Sequence, residues 1–105
     1  MTQKREISEG TQEQGTEEII TYTLTVPTTW GTPTGTPTVK VYSGATYTDV
    51  TATVMPTNSP TIASQVITLS PLKLLTVDVL YRVEILFTTT EGDTKEAFAF
   101  VQCNR

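Results

Sequence analysis

The side chains that most often perform chemistry in proteins are scarce in this sequence. Its 105 residues include no His and one Cys, Cys103. A Ser or Cys nucleophile therefore has no imidazole base beside it, and the commonest metal ligand is missing as well. For Cys103 we expect a small buried hydrophobic residue, with an intermolecular disulfide as the alternative. The sequence predicts no catalytic residue.

Two pairs of carboxylates are the remaining candidates for chemistry. Asp78 and Glu84 could act as acid and base only if a cleft held them about 5 to 9.5 Å apart. Alternation places Glu84 on an exposed strand face, where a role in solubility is expected. Glu91 and Asp93 flank a glycine in a short turn, which offers too few oxygen ligands for calcium. We therefore expect no enzyme, no bound metal and no cofactor.

The charge balance argues against two classes of partner. The net charge is −4 with seven basic residues, and between Glu6 and Tyr81 the only Lys or Arg residues are Lys40 and Lys73. A nucleic-acid site or an anionic membrane surface needs a basic patch, and none is available. The apolar runs are too short to span a bilayer, and the N-terminus lacks the apolar core of a signal peptide. With a single Cys, we expect a chain made in a reducing compartment.

The elements that must position these residues are predicted to be β-strands. Thr, Val and Ile make up 40 of the 105 residues, 24 of them Thr, and β-branched side chains favour a pleated sheet over a helix. The length allows one domain, with about seven short strands. The clearest strands are predicted at residues 17–26, 38–42, 49–54, 62–69, 79–90 and 94–103. Residues 27–37, with three Pro and two Gly, are predicted to be a loop.

The strand at residues 79–90 supplies the predicted core. Tyr81, Val83, Ile85 and Phe87 share one parity and alternate with more polar residues. Side chains two residues apart lie on the same face of a strand, so all four should point into a single core.

The strand at residues 94–103 carries apolar residues on both faces. Phe98 and Phe100 share one parity, and the other parity holds Ala97, Ala99, Val101 and Cys103. Alternation alone leaves open which face is core, and covering both would fit a face used for assembly. Phe98, Phe100 and Ile7 are therefore our candidate interaction residues. The strands at 38–42 and 94–103 are the candidate edges for pairing with a neighbouring chain.

Residues 1–16 are predicted to form an extended polar arm, and residues 17–105 the folded domain. Between residues 2 and 16 only Ile7 is apolar, so the arm adds almost nothing to a core and cannot offset its own ordering entropy. We expect it to become ordered by lying on a neighbouring subunit or by folding back locally.

Trp30, the only Trp, stands in the predicted loop and has two possible roles. It could plug one end of the core, or it could form an exposed aromatic platform together with Tyr42 and Tyr47. A platform of this kind would indicate a module that binds carbohydrate or a cell surface.

The segment from Leu75 to Ile85, LTVDVLYRVEI, resembles the corner between strands E and F of fibronectin type III and related immunoglobulin-like domains. In those families a Leu precedes the turn and a Tyr opens the next strand. The resemblance implies that Leu75 is a core residue and that the Tyr81 hydroxyl bonds backbone a few residues upstream. The Pro-Gly usual in that turn is here Val77-Asp78.

Residues 37–103 as a whole resemble small immunoglobulin-like virion proteins of tailed bacteriophages. The matching segments are Thr48-Asp49-Val50, Ile67-Thr68-Leu69, Leu75-Thr76, Tyr81-Arg82-Val83-Glu84, Gly92-Asp93 and Glu96-Ala97-Phe98. The resemblance implies an all-β, immunoglobulin- or fibronectin-III-like sandwich. It also implies a non-catalytic structural protein, made in the host cytoplasm, that resides in the virion and binds capsid, neck or tail proteins in many copies or as a homo-oligomer. The alternatives are the carbohydrate- or cell-surface-binding module and a spacer domain of a larger bacterial protein.

Overall fold

The computed structural model describes residues 3–6, 11–44 and 46–104, with side chains described from residue 11 onward. The strands are β1 (Gln3–Glu6), β2 (Gln12–Gln14), β3 (Thr23–Thr25), β4 (Pro33–Ser43), β5 (Thr48–Asp49), β6 (Thr61–Ala63), β7 (Val66–Thr68), β8 (Leu80–Thr89) and β9 (Thr94–Cys103). A 3-10 turn at Thr28–Trp30 and one α-helical turn, α1 (Thr51–Val54), complete the elements. No helix in these ranges is long and apolar enough to cross a membrane.

The strands form two sheets, as expected for an all-β protein. In the larger sheet the order is β1-β9-β8-β4-β5, with β2 also alongside β9. In the smaller sheet the order is β3-β7-β6. The pairs β4–β8 and β8–β9 are long and antiparallel. The pair β8–β9 is a local hairpin, whereas β4 and β8 are distant in sequence.

The core lies between the two sheets. Tyr81, Val83, Ile85 and Phe87 of β8 are all buried, as their alternation predicts. They pack against buried residues of the smaller sheet and its flanks, including Leu24, Val26, Ile67 and Leu69. Leu75 is buried in the same cluster, and Trp30 is half-buried against it from the 3-10 turn. Burial of each large apolar side chain is worth about 1.5–3 kcal/mol relative to exposure.

The structure assigns the two faces of β9. Ala97, Val101 and Cys103 are buried on the core side. Phe98 and Phe100 have the opposite parity and lie half-buried on the outer face of the larger sheet. Cys103 is fully buried, which matches the small hydrophobic residue expected there. The outer parity of β9 is therefore available to a partner.

Over its described residues the N-terminal segment folds back on its own domain, which is one of the two arrangements expected for the arm. β1 and β2 both pair in parallel with β9, with Gln3 opposite Lys95 and Gln12 opposite Val101. The expectation that residues 1–16 add almost nothing to the core is wrong at Gln14, which is 1% exposed. A polar side chain can be buried when its hydrogen bonds are all satisfied, and polarity alone does not reveal this. Ile7 lies outside the described residues.

Two predicted elements in the middle of the chain take another form. Residues 49–54 were predicted to be a strand, but Asp49 accepts hydrogen bonds from the Thr51 N–H at 3.0 Å and the Thr51 hydroxyl at 2.7 Å. This local turn directs the chain into α1. Residues 62–69 are a hairpin rather than one strand, because Ser64 takes a left-handed conformation with φ 54°.

The predicted loop at residues 27–37 ends earlier than expected, because β4 begins at Pro33. Its register against β8 shifts between Thr34 and Thr38, and Gly35 in this irregularity has φ 76°. Pro and Gly are tolerated in a strand where the hydrogen bonds to the neighbouring strand are interrupted, and where one side of the strand pairs with few other residues.

The two strands predicted as free edges are both covered. β9 is paired on one side by β8 and on the other by β1 and β2. The outer side of β4 is occupied by side chains, because Asn58 Nδ2 donates to the Val39 carbonyl at 2.8 Å and the Val41 N–H donates to Thr51 Oγ1 at 2.8 Å. These groups protect the peptide units of β4 from another strand.

Candidate functional site

The register of the larger sheet brings three outward-facing side chains into one row. Tyr42 of β4 lies opposite Arg82 of β8, and Arg82 lies opposite Phe100 of β9. One step along the strands, Glu84 lies opposite Phe98. Because side chains of directly paired residues stand about 4.5–5.5 Å apart, the rows form one continuous surface.

Arg82 is the centre of this surface. Its guanidinium carbon lies 4.0 Å from the centroid of the Phe98 ring and 5.5 Å from that of Tyr47. Its Nε donates to Glu84 Oε2 at 2.7 Å, and one terminal nitrogen donates to the Tyr47 hydroxyl at 3.2 Å. The two side chains of the ion pair are only 14% and 17% exposed, so aromatic rings shield a charged pair on the outside of the sheet.

The rings around Arg82 contact one another edge to face. The Tyr42 and Tyr47 centroids are 6.2 Å apart at 88°, and those of Phe98 and Phe100 are 5.8 Å apart at 80°. Both distances lie in the favourable range for aromatic pairs. Tyr47 sits in the turn between β4 and β5 with φ 52°. A non-glycine residue is rarely held in this conformation unless its surroundings fix it.

This cluster is the candidate functional site, and we call it the aromatic face. Its residues are Tyr42, Tyr47, Leu80, Arg82, Glu84, Phe98 and Phe100. Tyr47 is 54% exposed and Leu80 is 40% exposed. The solvent side of an antiparallel sheet is normally polar. An outer surface rich in Tyr, Phe and Arg has instead the composition of the energetically dominant part of a protein–protein interface.

The described residues of the aromatic face show no arrangement for proton transfer. Its only carboxylate, Glu84, is engaged by Arg82 at 2.7 Å. Asp78 lies in the corner turn before β8, where its N–H donates to the Cys103 carbonyl at 2.8 Å. Over residues 3–6, 11–44 and 46–104, no three Cys or acidic side chains cluster in a way that could hold a metal ion.

The predicted platform of Trp30, Tyr42 and Tyr47 does not form as a unit. Trp30 ends the 3-10 turn just before β4, whereas Tyr42 lies at the other end of that strand. At about 3.3 Å per residue, the length of β4 separates them by roughly 25–30 Å. Tyr42 and Tyr47 do come together, and with Arg82 and Glu84 they line a shallow concavity of about 310 Å³.

Sequence reasoning named Phe98 and Phe100 but missed Arg82 and Leu80. The solubility role expected for Glu84 on an exposed face is wrong, because Glu84 is half-buried and paired with Arg82. The turn between β8 and β9 contained the missing signal, because counting outward from Glu91 pairs Arg82 with Phe100 and Glu84 with Phe98. A charged residue opposite an aromatic one on the outer parity marks a shielded pair. No protein-family model and no curated protein sequence matches this chain.

Proposed function

We propose that this protein is a non-catalytic structural protein that attaches to a larger protein assembly through its aromatic face. The observation that carries the proposal is the shielding of Arg82 and Glu84 by Tyr47 and Phe98 on the outer side of the sheet. An ion pair that is already covered can be desolvated further at smaller cost than two exposed charges. A partner docking here therefore gains contact with the rings without first stripping water from free charges.

The assembly we propose is the virion of a tailed bacteriophage, with the capsid, neck or tail as the attachment site. The support is the resemblance of residues 37–103 to immunoglobulin-like virion proteins, together with an acidic chain whose outer sheet face carries exposed aromatic and aliphatic side chains. Attachment through such a face relies on apolar contact, so it should change little with salt.

The immunoglobulin- or fibronectin-III-like identity of the fold belongs to the same proposal. Its support is the corner before β8, where the Thr76 N–H donates to the hydroxyl oxygen of buried Tyr81 at 2.7 Å. Asp78 stands where those families usually have Gly, and it takes the left-handed φ of 65° that Gly would accept easily. Asp is among the few other residues that tolerate this region.

A carbohydrate-binding role is the second candidate, and the concavity beside Tyr47 favours it. The concavity has Tyr42 and Tyr47 as its rings and the Arg82–Glu84 pair as its polar groups. Aromatic rings with nearby fixed polar groups are the usual components of a small-ligand site. Both candidates use one surface, so a single set of variants distinguishes them.

The test is to strip the protein from its particle and titrate it back as wild type, Phe98→Ser and Leu74→Ser. Leu74 is the matched control, because it is an exposed Leu (61%) outside the aromatic face. We expect Phe98→Ser to weaken attachment at least about tenfold, or 1.4 kcal/mol, and Leu74→Ser to leave it unchanged. Wild-type attachment should be similar at about 50 mM and about 500 mM salt.

Four outcomes would overturn the proposal or one of its parts. Release of the wild type by moderate salt alone would contradict attachment by apolar contact. Equal weakening by the two variants would remove the aromatic face from the interface. Tight binding to an isolated glycan that is lost in Tyr47→Ala would establish the second candidate. A protein inventory of purified virions that lacks this chain would exclude the virion as the assembly to which it attaches.

A further inference from the structure

We propose that the free edge of β3 and the cleft beside it accept an extended strand donated by a different polypeptide. This surface lies at the seam between the two sheets and shares no residue with the aromatic face. The proposal is therefore independent of the function proposed above.

The unpaired side of β3 presents regular hydrogen-bonding groups. Even-numbered residues of this segment bond to β7 and its flanks, since the Leu69 N–H donates to the Tyr22 carbonyl at 2.9 Å and the Val26 N–H donates to the Gln65 carbonyl at 2.7 Å. The peptide groups of Thr21, Thr23 and Thr25 therefore point the other way. Within the described ranges no strand pairs on that side, because β3 ends the order β3-β7-β6.

Beside this edge a cleft opens into the core. It has a volume of about 340 Å³, and its apolar walls include Leu24, Met55, Leu72, Val83, Ile85 and Val101. An engineered cavity of about 150 Å³ already admits benzene, so this cleft has room for two or three apolar side chains. None of its lining residues is charged. Ala99 is the small residue on its β9 wall, and it leaves space that a larger side chain would fill.

The edge and the cleft together specify the occupant. Only an extended peptide offers N–H and C=O groups at the spacing of Thr21, Thr23 and Thr25, with side chains directed alternately into the cleft and outward. The occupant must therefore have apolar residues at every second position. Glu17 and Glu18 are both exposed and precede the edge residue Thr21 by four and three positions. An antiparallel strand of about eight residues that begins opposite Thr25 would end near them, where a basic residue would meet a complementary charge.

Edge-to-edge pairing of β3 between two copies of this chain does not meet these requirements. Pairing β3 with β3 of another copy would place two threonine-rich edges together, but the apolar side chains Leu24 and Val26 would stay in the core of their own copy. The cleft would then remain unfilled. A strand of another protein, not yet packed in a core, brings apolar side chains of its own.

The test uses a peptide of about eight residues, a usual strand length, with alternating Val and Thr and a C-terminal Lys. A second peptide has Ser in place of Val. We titrate each into the full-length protein by calorimetry, with wild type, Thr23→Val, Thr23→Pro and Ala99→Leu. Thr23→Pro removes the N–H that points to the free edge, where Pro is tolerated in a sheet, whereas Thr23→Val keeps it.

We expect the valine peptide to bind wild type and Thr23→Val equally, and to bind Thr23→Pro and Ala99→Leu at least about tenfold more weakly. The serine peptide should not bind. Ala99→Leu should keep or raise the melting temperature, so it remains informative if Thr23→Pro does not fold. Failure of the valine peptide to bind wild type, or equal binding to Ala99→Leu, would overturn the proposal. A dimer that Thr23→Pro dissociates would show a second copy to be the occupant and would also overturn it.

Discussion

Replacing Gln14 by Ala should reveal how the N-terminal strand is fixed to the core. Gln14 Nε2 donates to the carbonyls of Leu72 at 2.6 Å and Glu18 at 3.0 Å, while its Oε1 accepts from the Tyr22 hydroxyl at 2.9 Å. Burial, and then the Glu18 carboxylate, raise the pKa of Tyr22 above its ordinary value of 10.0. The phenol therefore stays protonated and donates its proton at neutral pH.

The cost of Gln14→Ala follows from the groups that lose their partner. Each hydrogen bond contributes about 1 kcal/mol net, and a buried polar group left unpaired costs about 1–3 kcal/mol. Three hydrogen bonds are lost. The Leu72 carbonyl keeps the Ile20 N–H at 3.1 Å and the exposed Glu18 backbone is open to water, whereas the half-buried Tyr22 hydroxyl loses its acceptor. We therefore expect a loss of about 2–4 kcal/mol from a total stability of about 5–15 kcal/mol. For a domain of this size the melting temperature should fall by about 10–25 °C.

The assay is urea unfolding followed by circular dichroism, with thiol labelling of native Cys103 as a second readout. Gln12→Ala is the matched control, because Gln12 is half-buried in the same strand and makes no side-chain hydrogen bond within the described residues. We expect Cys103, paired with Gln14 across the strands, to be labelled faster in Gln14→Ala only. If Gln14→Ala unfolds within about 0.5 kcal/mol of the control, a typical surface effect, Gln14 does not anchor β2.

Three further substitutions test the core, a turn and a capping carboxylate. Phe87→Ala should cost about 3–5 kcal/mol in urea unfolding, against under about 1.5 kcal/mol for Phe87→Leu; a melting point within a degree or two of wild type would refute the β8 register. Gly31→Ala should lower stability by about 1–3 kcal/mol through its φ of 96°. The loss should exceed that of Gly92→Ala at φ 94°, because only at Gly31 would the new Cβ lie 3.0 Å from Cγ2 and 3.1 Å from Cβ of buried Thr89. Hydrogen bonds from Thr51, first from its N–H and then from its hydroxyl, hold the pKa of Asp49 below 3.8. The extra stability of wild type over Asp49→Ala should therefore be present above that pH and should vanish as the pH falls through the lowered pKa. A difference that does not depend on pH would show that the ionised carboxylate of Asp49 does not stabilise the turn.

Where the sequence pattern was local, it predicted the structure well. The hairpin of β8 and β9 followed from alternation around one tight turn, and the burial of Tyr81 and Phe87 followed with it. The alternation did not determine which face of β9 is buried, because both parities are apolar. Pairing outward from the turn would have placed Phe98 beside Glu84 and so on the outer side.

Where side chains bond to backbone, or where partners are distant in sequence, alternation gave the wrong structure. Asp49 bonds Thr51 and starts a helical turn inside an apparent strand. The parallel pairing of β2 with β9 joins Gln12 to Val101, which is distant in sequence. β2 is polar and is held by the hydrogen bonds of the buried Gln14 side chain, so it shows no alternation of apolar residues from which a strand could be predicted. The aromatic face combines both cases: its phenylalanines were predicted, but Arg82 becomes part of the site only through pairing between strands.

The parallel pairing of β1 and β2 with β9 also determines how the domain responds to mechanical force. The strand nearest the N-terminus lies beside the strand nearest the C-terminus, and both run in the same direction. A pull on the two ends therefore drags β2 and β9 past each other along their length. The hydrogen bonds between them run across that direction and are loaded together in shear, whereas a hairpin peeled from one end loses its bonds one at a time. Force applied through the termini is thus resisted first by the pairing of β1 and β2 with β9, before it reaches the hydrophobic core.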